Sequence, residues 1–113
     1  MQRLTVRFAL PVLLVLLGAP GAAAASGEIC VRNSTAEAYV FTLENADGMR
    51  ARARLAPGAE LCLGAAAVPG GIAAAYERDD SVEGCARRLP PGGRDELLAY
   101  AAFDRCLWAS HGT

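Results

Sequence analysis

Apolar and polar residues alternate in short bursts along most of this chain, and residues that favour turns separate the bursts. Over residues 38–44 the alternation puts Tyr39, Phe41 and Leu43 on one face of a strand and Val40, Thr42 and Glu44 on the other. Asn45-Ala46-Asp47-Gly48 then reads as a hairpin loop, because Gly48 can take a positive φ. Residues 49–55 alternate again, with Arg50, Arg52 and Arg54 at every second position. Pro57-Gly58 suits the two central positions of a type II turn leading into a strand around Cys62. Together with a strand around Cys30, the N-terminal half reads as a four-stranded meander.

The second half is broken by Pro69-Gly70-Gly71 and by Pro90-Pro91-Gly92-Gly93. Residues 72–77 read as a strand, residues 78–81 as a polar turn, and residues 82–89 as a segment carrying Cys85. Residues 94–103 fit two templates. As a helix, Asp95 and Glu96 suit the first turn, with Leu97, Tyr100 and Ala101 on one side. As a strand, Leu98, Tyr100 and Ala102 alternate against Leu97, Ala99, Ala101 and Phe103. The neighbouring strand-and-turn spacing favours the strand, and residues 105–108 supply a last one. The pattern predicts an all-β fold, a small disulfide-stapled antiparallel β-sandwich of seven or eight short strands. The alternative is α+β with one helix at residues 94–103.

Residues 1–25 break this rhythm. Two arginines, Arg3 and Arg7, precede an uninterrupted apolar stretch, and small residues follow in an A-x-A pattern at Ala23-Ala24-Ala25. That order is what a secretory signal peptide requires, and it predicts cleavage after Ala25. The apolar stretch is too short for a membrane span, which takes roughly 20 apolar residues. Residues 26–113 then form a single domain, placed in the periplasm or secreted. Every formal positive charge is arginine, with no lysine in the chain. Without the head, nine arginines face twelve acidic residues, a net charge of −3 that excludes a generally basic nucleic-acid binder. No membrane contact is expected after signal removal, and the sequence sets no oligomeric state.

A domain this small has a modest core, and exported chains meet an oxidising environment, so Cys30, Cys62, Cys85 and Cys106 are expected to form two disulfides. No two of them have the close C-x-x-C spacing of a four-thiolate metal site. Cys30 and Cys62 each lie between apolar neighbours, Ile29 and Val31 in one case, Leu61 and Leu63 in the other. In paired strands those neighbours face the core while both cysteines face away together. This favours Cys30 with Cys62 and leaves Cys85 with Cys106.

In a strand, Arg50, Arg52 and Arg54 form a guanidinium ladder on one face, able to grip carboxylates, phosphates or sulfated sugars. The plainer reading is the solvated face of a sheet, with Glu44 and other acids nearby. Arg87 and Arg88, being adjacent, face opposite ways. Trp108, on the same strand face as Cys106, is expected to pack on the second disulfide; exposed, it would join Arg105 and His111 in a contact patch. Glu77, Asp79, Asp80 and Glu83 surround a turn without the spacing of a calcium loop. Asn33-Ser34-Thr35 reads as a turn leaving the first strand.

Catalytic equipment is thin. His111 is the sole histidine and lies near the C-terminus, no serine sits in a G-x-S-x-G elbow, and no glycine-rich phosphate loop is present. No catalytic residue, metal or cofactor is assigned. Residues 83–87 and 103–111 resemble small exported proteins of alphaproteobacteria with no assigned role, a likeness confined to the C-terminal third that implies no activity. The sequence therefore predicts a non-catalytic binding module for a protein or glycan partner. Its alternative is a small hydrolase or sugar-active enzyme pairing Asp79 or Asp80 with Asp104.

Overall fold

A computed structural model describes residues 27–64 and 66–112. The expected signal peptide lies outside the described residues. Among the described residues eight strands are present: β1 (Ile29–Asn33), β2 (Tyr39–Asn45), β3 (Arg50–Leu55), β4 (Glu60–Leu63), β5 (Gly71–Tyr76), β6 (Cys85–Arg88), β7 (Arg94–Ala99) and β8 (Leu107–Trp108). They form two four-stranded sheets, A in the order β4-β1-β7-β8 and B in the order β3-β2-β5-β6. Among the described residues no helix is long and apolar enough to cross a membrane.

The predicted turns form as their residues dictate. Gly48, at φ 88°, closes the β2–β3 hairpin by donating its N–H to the Asn45 carbonyl at 3.0 Å. Gly58, at φ 85°, follows Pro57 in a turn closed by the Ala59 N–H on the Ala56 carbonyl at 2.9 Å, as a type II turn requires. Residues 94–103 are not a helix: Arg94–Ala99 is a strand, and the chain then turns.

Two features differ from the sequence reading. The first four strands are not one meander: β1 and β4 pair in sheet A, while β2 and β3 pair in sheet B. Alternation fixes which way a side chain points, not which strand lies alongside. The sandwich is also not wholly antiparallel, because β1 and β7 run parallel, with Cys30 beside Arg94 and Asn33 beside Leu97.

Between the sheets, Ile29, Val31, Phe41, Leu43, Ala73, Ala75, Leu97 and Trp108 are buried as one apolar cluster. Cys30 lies opposite Cys62 in the β1–β4 register and is bonded to it, with Cα atoms 4.1 Å apart. Cys85 and Cys106 form the second bridge and join the core. With sequence separations of 32 and 21 residues, loop closure makes each bridge worth about 3–4 kcal/mol.

Two polar networks tie the ends of the sandwich. The fully buried Asn33 side chain donates to the carbonyls of Glu37 at 2.8 Å and Leu55 at 2.9 Å, and accepts from Thr35 N–H at 3.0 Å and Thr35 Oγ1 at 2.7 Å. Asp95, on β7, accepts from Glu96 N–H at 2.9 Å, Ser110 N–H at 3.0 Å and Ser110 Oγ at 2.6 Å. Across the sheets, Arg87 Nε of β6 lies 3.8 Å from Asp95 Oδ2 and donates to Ser110 Oγ at 2.8 Å. Arg87 thus points inward and Arg88 outward.

Candidate functional site

The outer face of sheet B is built from residues in cross-strand register. Arg54, Val40 and Tyr76 form one row; Arg52, Thr42, Ala74 and Ala86 the next; Arg50, Glu44, Ile72 and Arg88 the third. Three arginines thus line the β3 margin and Arg88 stands on the β6 margin, while the middle of the second row is filled by the small residues Thr42 and Ala74. Small side chains between larger ones leave a groove of about 450 Å³ whose lining includes Thr42, Arg50, Arg52, Ile72, Ala74 and Tyr76.

The predicted ladder is real: Arg50, Arg52 and Arg54 are all exposed on β3, while Ala51, Ala53 and Leu55 turn inward. Arg50 Nη2 lies 3.4 Å from Glu44 Oε1. Arg52 donates to the Asp79 carbonyl at 2.8 Å and lies 3.6 Å from its carboxylate. Both acids are solvent-accessible, so these contacts are weak and exchangeable. Arg54 makes no ion pair among the described residues. Although the chain is acidic overall, this face sets Arg50, Arg52, Arg54 and Arg88 against Glu44 and, at its margin, Asp79.

The structure does not gather the other expected contact residues here. Trp108 is 2 % exposed and packed in the core with both cysteines of the second bridge, so it offers no contact surface. This corrects its place in a contact patch, and follows from Trp108 lying opposite Leu97, an inward residue of β7. Arg105 is exposed in the β7–β8 loop, at the opposite flank from β3 by strand order. His111 Nδ1 accepts the Trp108 N–H at 3.1 Å.

The remaining chemistry is structurally engaged. Asp104 Oδ1 accepts the Ala86 N–H at 2.9 Å, Asp80 lies 3.3 Å from Arg78, and Asp79 is held by Arg52. Glu28, Cys30 and Cys62 bring three potential metal ligands together, yet both sulfurs are spent in the disulfide. Tyr39 and Tyr100 stack with ring centroids 4.7 Å apart. Burial, followed by nearby carboxylates (Glu37 and Glu77 for Tyr39, Glu77 and Glu83 for Tyr100), raises both phenols above the ordinary value of 10.0.

The Asp95–Ser110–Arg87 network was not foreseen from the sequence. Its one local signal was an acid in an otherwise apolar-alternating strand, and its partners are distant in the chain. No family model, curated protein or solved structure matches this chain.

Proposed function

We propose that this chain is an exported, non-catalytic binding module, working in the periplasm or outside the cell, whose partner is an acidic polypeptide held on the outer face of sheet B. The observation that carries this reading is the groove over Ala74 with Arg50 and Arg52 on its margin and Arg54 ion-pair-free beside it among the described residues. Guanidinium groups at every second residue match the carboxylate spacing of an extended chain. The two disulfides support export, and the Cys85–Cys106 bridge ties β6 of sheet B to the chain entering β8 of sheet A, so that little ordering cost attends binding.

Titration of fluorescently labelled poly-L-glutamate with the folded protein, followed by anisotropy, tests this. The triple variant Arg50→Ser/Arg52→Ser/Arg54→Ser is expected to bind about tenfold more weakly or worse, and added salt to weaken the unsubstituted protein. Unchanged binding in the triple variant removes the ladder from the function. Preference for heparin over poly-glutamate would assign the face to an anionic glycan instead.

A further inference from the structure

Sheet B has two edges, β3 and β6, and the fold treats them differently. In an antiparallel ladder, successive residues turn their N–H and C=O alternately toward one neighbouring strand and the other. The phase is fixed here by two bonds. Asn45 N–H donates to the Met49 carbonyl at 3.0 Å, so the odd-numbered residues of β2 and β3 bond to each other. Leu89 N–H donates to the Gly71 carbonyl at 2.9 Å, the result the same alternation gives when carried across β5.

It follows that Ala51, Ala53 and Leu55 spend their main-chain groups on β2. Arg50, Arg52 and Arg54 turn theirs to the open edge. On β6 the corresponding outward residues are Ala86 and Arg88, and there the Ala86 N–H is taken by Asp104 Oδ1 at 2.9 Å. Among the described residues nothing takes the outward groups of β3. On β3 the residues that present free main-chain groups are therefore the same three that present guanidinium groups.

Resting on the binding reading above, we infer that β3 is a docking edge: an extended acidic peptide adds to it as an antiparallel fifth strand of sheet B. Residues of the peptide opposite Arg50, Arg52 and Arg54 exchange main-chain hydrogen bonds with them and place their side chains on the arginine face, where carboxylates are favoured. The intervening residues turn inward beside Ala51 and Ala53, which are half-buried and small enough to admit an apolar side chain. The occupant is accordingly a segment alternating acidic with apolar residues. A second copy of this chain fits poorly, since antiparallel pairing of β3 with β3 sets arginine opposite arginine.

The probe is the peptide acetyl-Glu-Val-Glu-Val-Glu-Val-amide, titrated into ¹⁵N-labelled, disulfide-bonded protein with amide hydrogen exchange as the readout. In the free protein the amides of Ala51, Ala53 and Leu55 are expected to be protected and those of Arg50, Arg52 and Arg54 to exchange fast; bound peptide should protect the latter three. N-methylation of the glutamates, which leaves their charge intact, should weaken binding at least about tenfold through the lost hydrogen bonds, while N-methylation of the valines should not. If both methylated peptides bind alike and the arginine amides stay unprotected, strand addition is overturned, although the charged-face reading survives. If neither the peptide nor poly-glutamate binds, both fall. Protection that grows with protein concentration without peptide would make the occupant a second copy and overturn the assignment.

Discussion

Removing the Asp95 carboxylate should cost this protein a large part of its stability. The side chain is 1 % exposed, and it accepts three hydrogen bonds, from Glu96 N–H, Ser110 N–H and Ser110 Oγ, while facing Arg87 across the two sheets. Asp95→Ala strands two main-chain donors and leaves a guanidinium without its buried counter-charge. Arg87 is itself 32 % exposed, so most of the loss comes from the stranded donors at about 1–3 kcal/mol each, which puts the total at about 3 kcal/mol or more, a large share of the 5–15 kcal/mol of an ordinary domain. Asp95→Asn keeps Oδ1 as the acceptor for the two main-chain donors but loses the charge and the acceptor of the Ser110 Oγ–H, so a smaller loss of about 2 kcal/mol is expected. Equilibrium urea unfolding under non-reducing conditions measures both; with a slope of about 1–3 kcal/mol/M, the alanine variant should move its midpoint by at least about 1 M. A double-mutant cycle with Arg87→Ala should show the two losses to be strongly non-additive. An alanine variant within about 1 kcal/mol of the parent would refute the cross-sheet latch.

Three further outcomes follow from the same packing. Trp108 should emit as a buried indole and resist iodide quenching in the folded state; strong quenching would contradict its place in the core. Because the folded-state phenols of Tyr39 and Tyr100 lie above 10.0, the folded form holds these protons more tightly than the unfolded chain. Their contribution to stability is full below pH 10 and lost as pH rises through the folded values, which absorbance at 295 nm and melting at alkaline pH would follow. Phe103 sits at φ 62° with 66 % of its surface exposed, so Phe103→Gly should be neutral or stabilising by up to about 1 kcal/mol; a clear loss in thermal stability would mean its ring is held by something beyond the chain's own core.

What could be read beforehand was whatever depends on a residue and its near neighbours. Apolar residues flanking Cys30 and Cys62 gave away the first bridge, and Pro57-Gly58 gave away its turn. The period of two through Arg50, Arg52 and Arg54 was enough to put all three on one face. Assigning β1 to the sheet of β4 and β7 was out of reach, since alternation carries no information on strand partners, and the parallel β1–β7 pair is set by packing between Cys30 and Arg94, at a sequence separation of 64. The Asp95 latch was hidden for a related reason: its partners Arg87 and Ser110 lie on either side in sequence and meet only when β6 closes over β7. The open β3 edge became visible only through the hydrogen-bond phase, which the hairpin's closing bond determines.

The most direct test of a binding face on sheet B compares two variants of equal net charge. One carries Arg50→Ser/Arg52→Ser/Arg54→Ser. The other carries Arg32→Ser/Arg78→Ser/Arg105→Ser, which removes three exposed arginines from outside the β3 ladder. Poly-glutamate affinity at a single ionic strength should fall about tenfold or more in the first and stay near the parent value in the second. Equal losses in the two would show that overall charge governs the interaction, contradicting a site on this face.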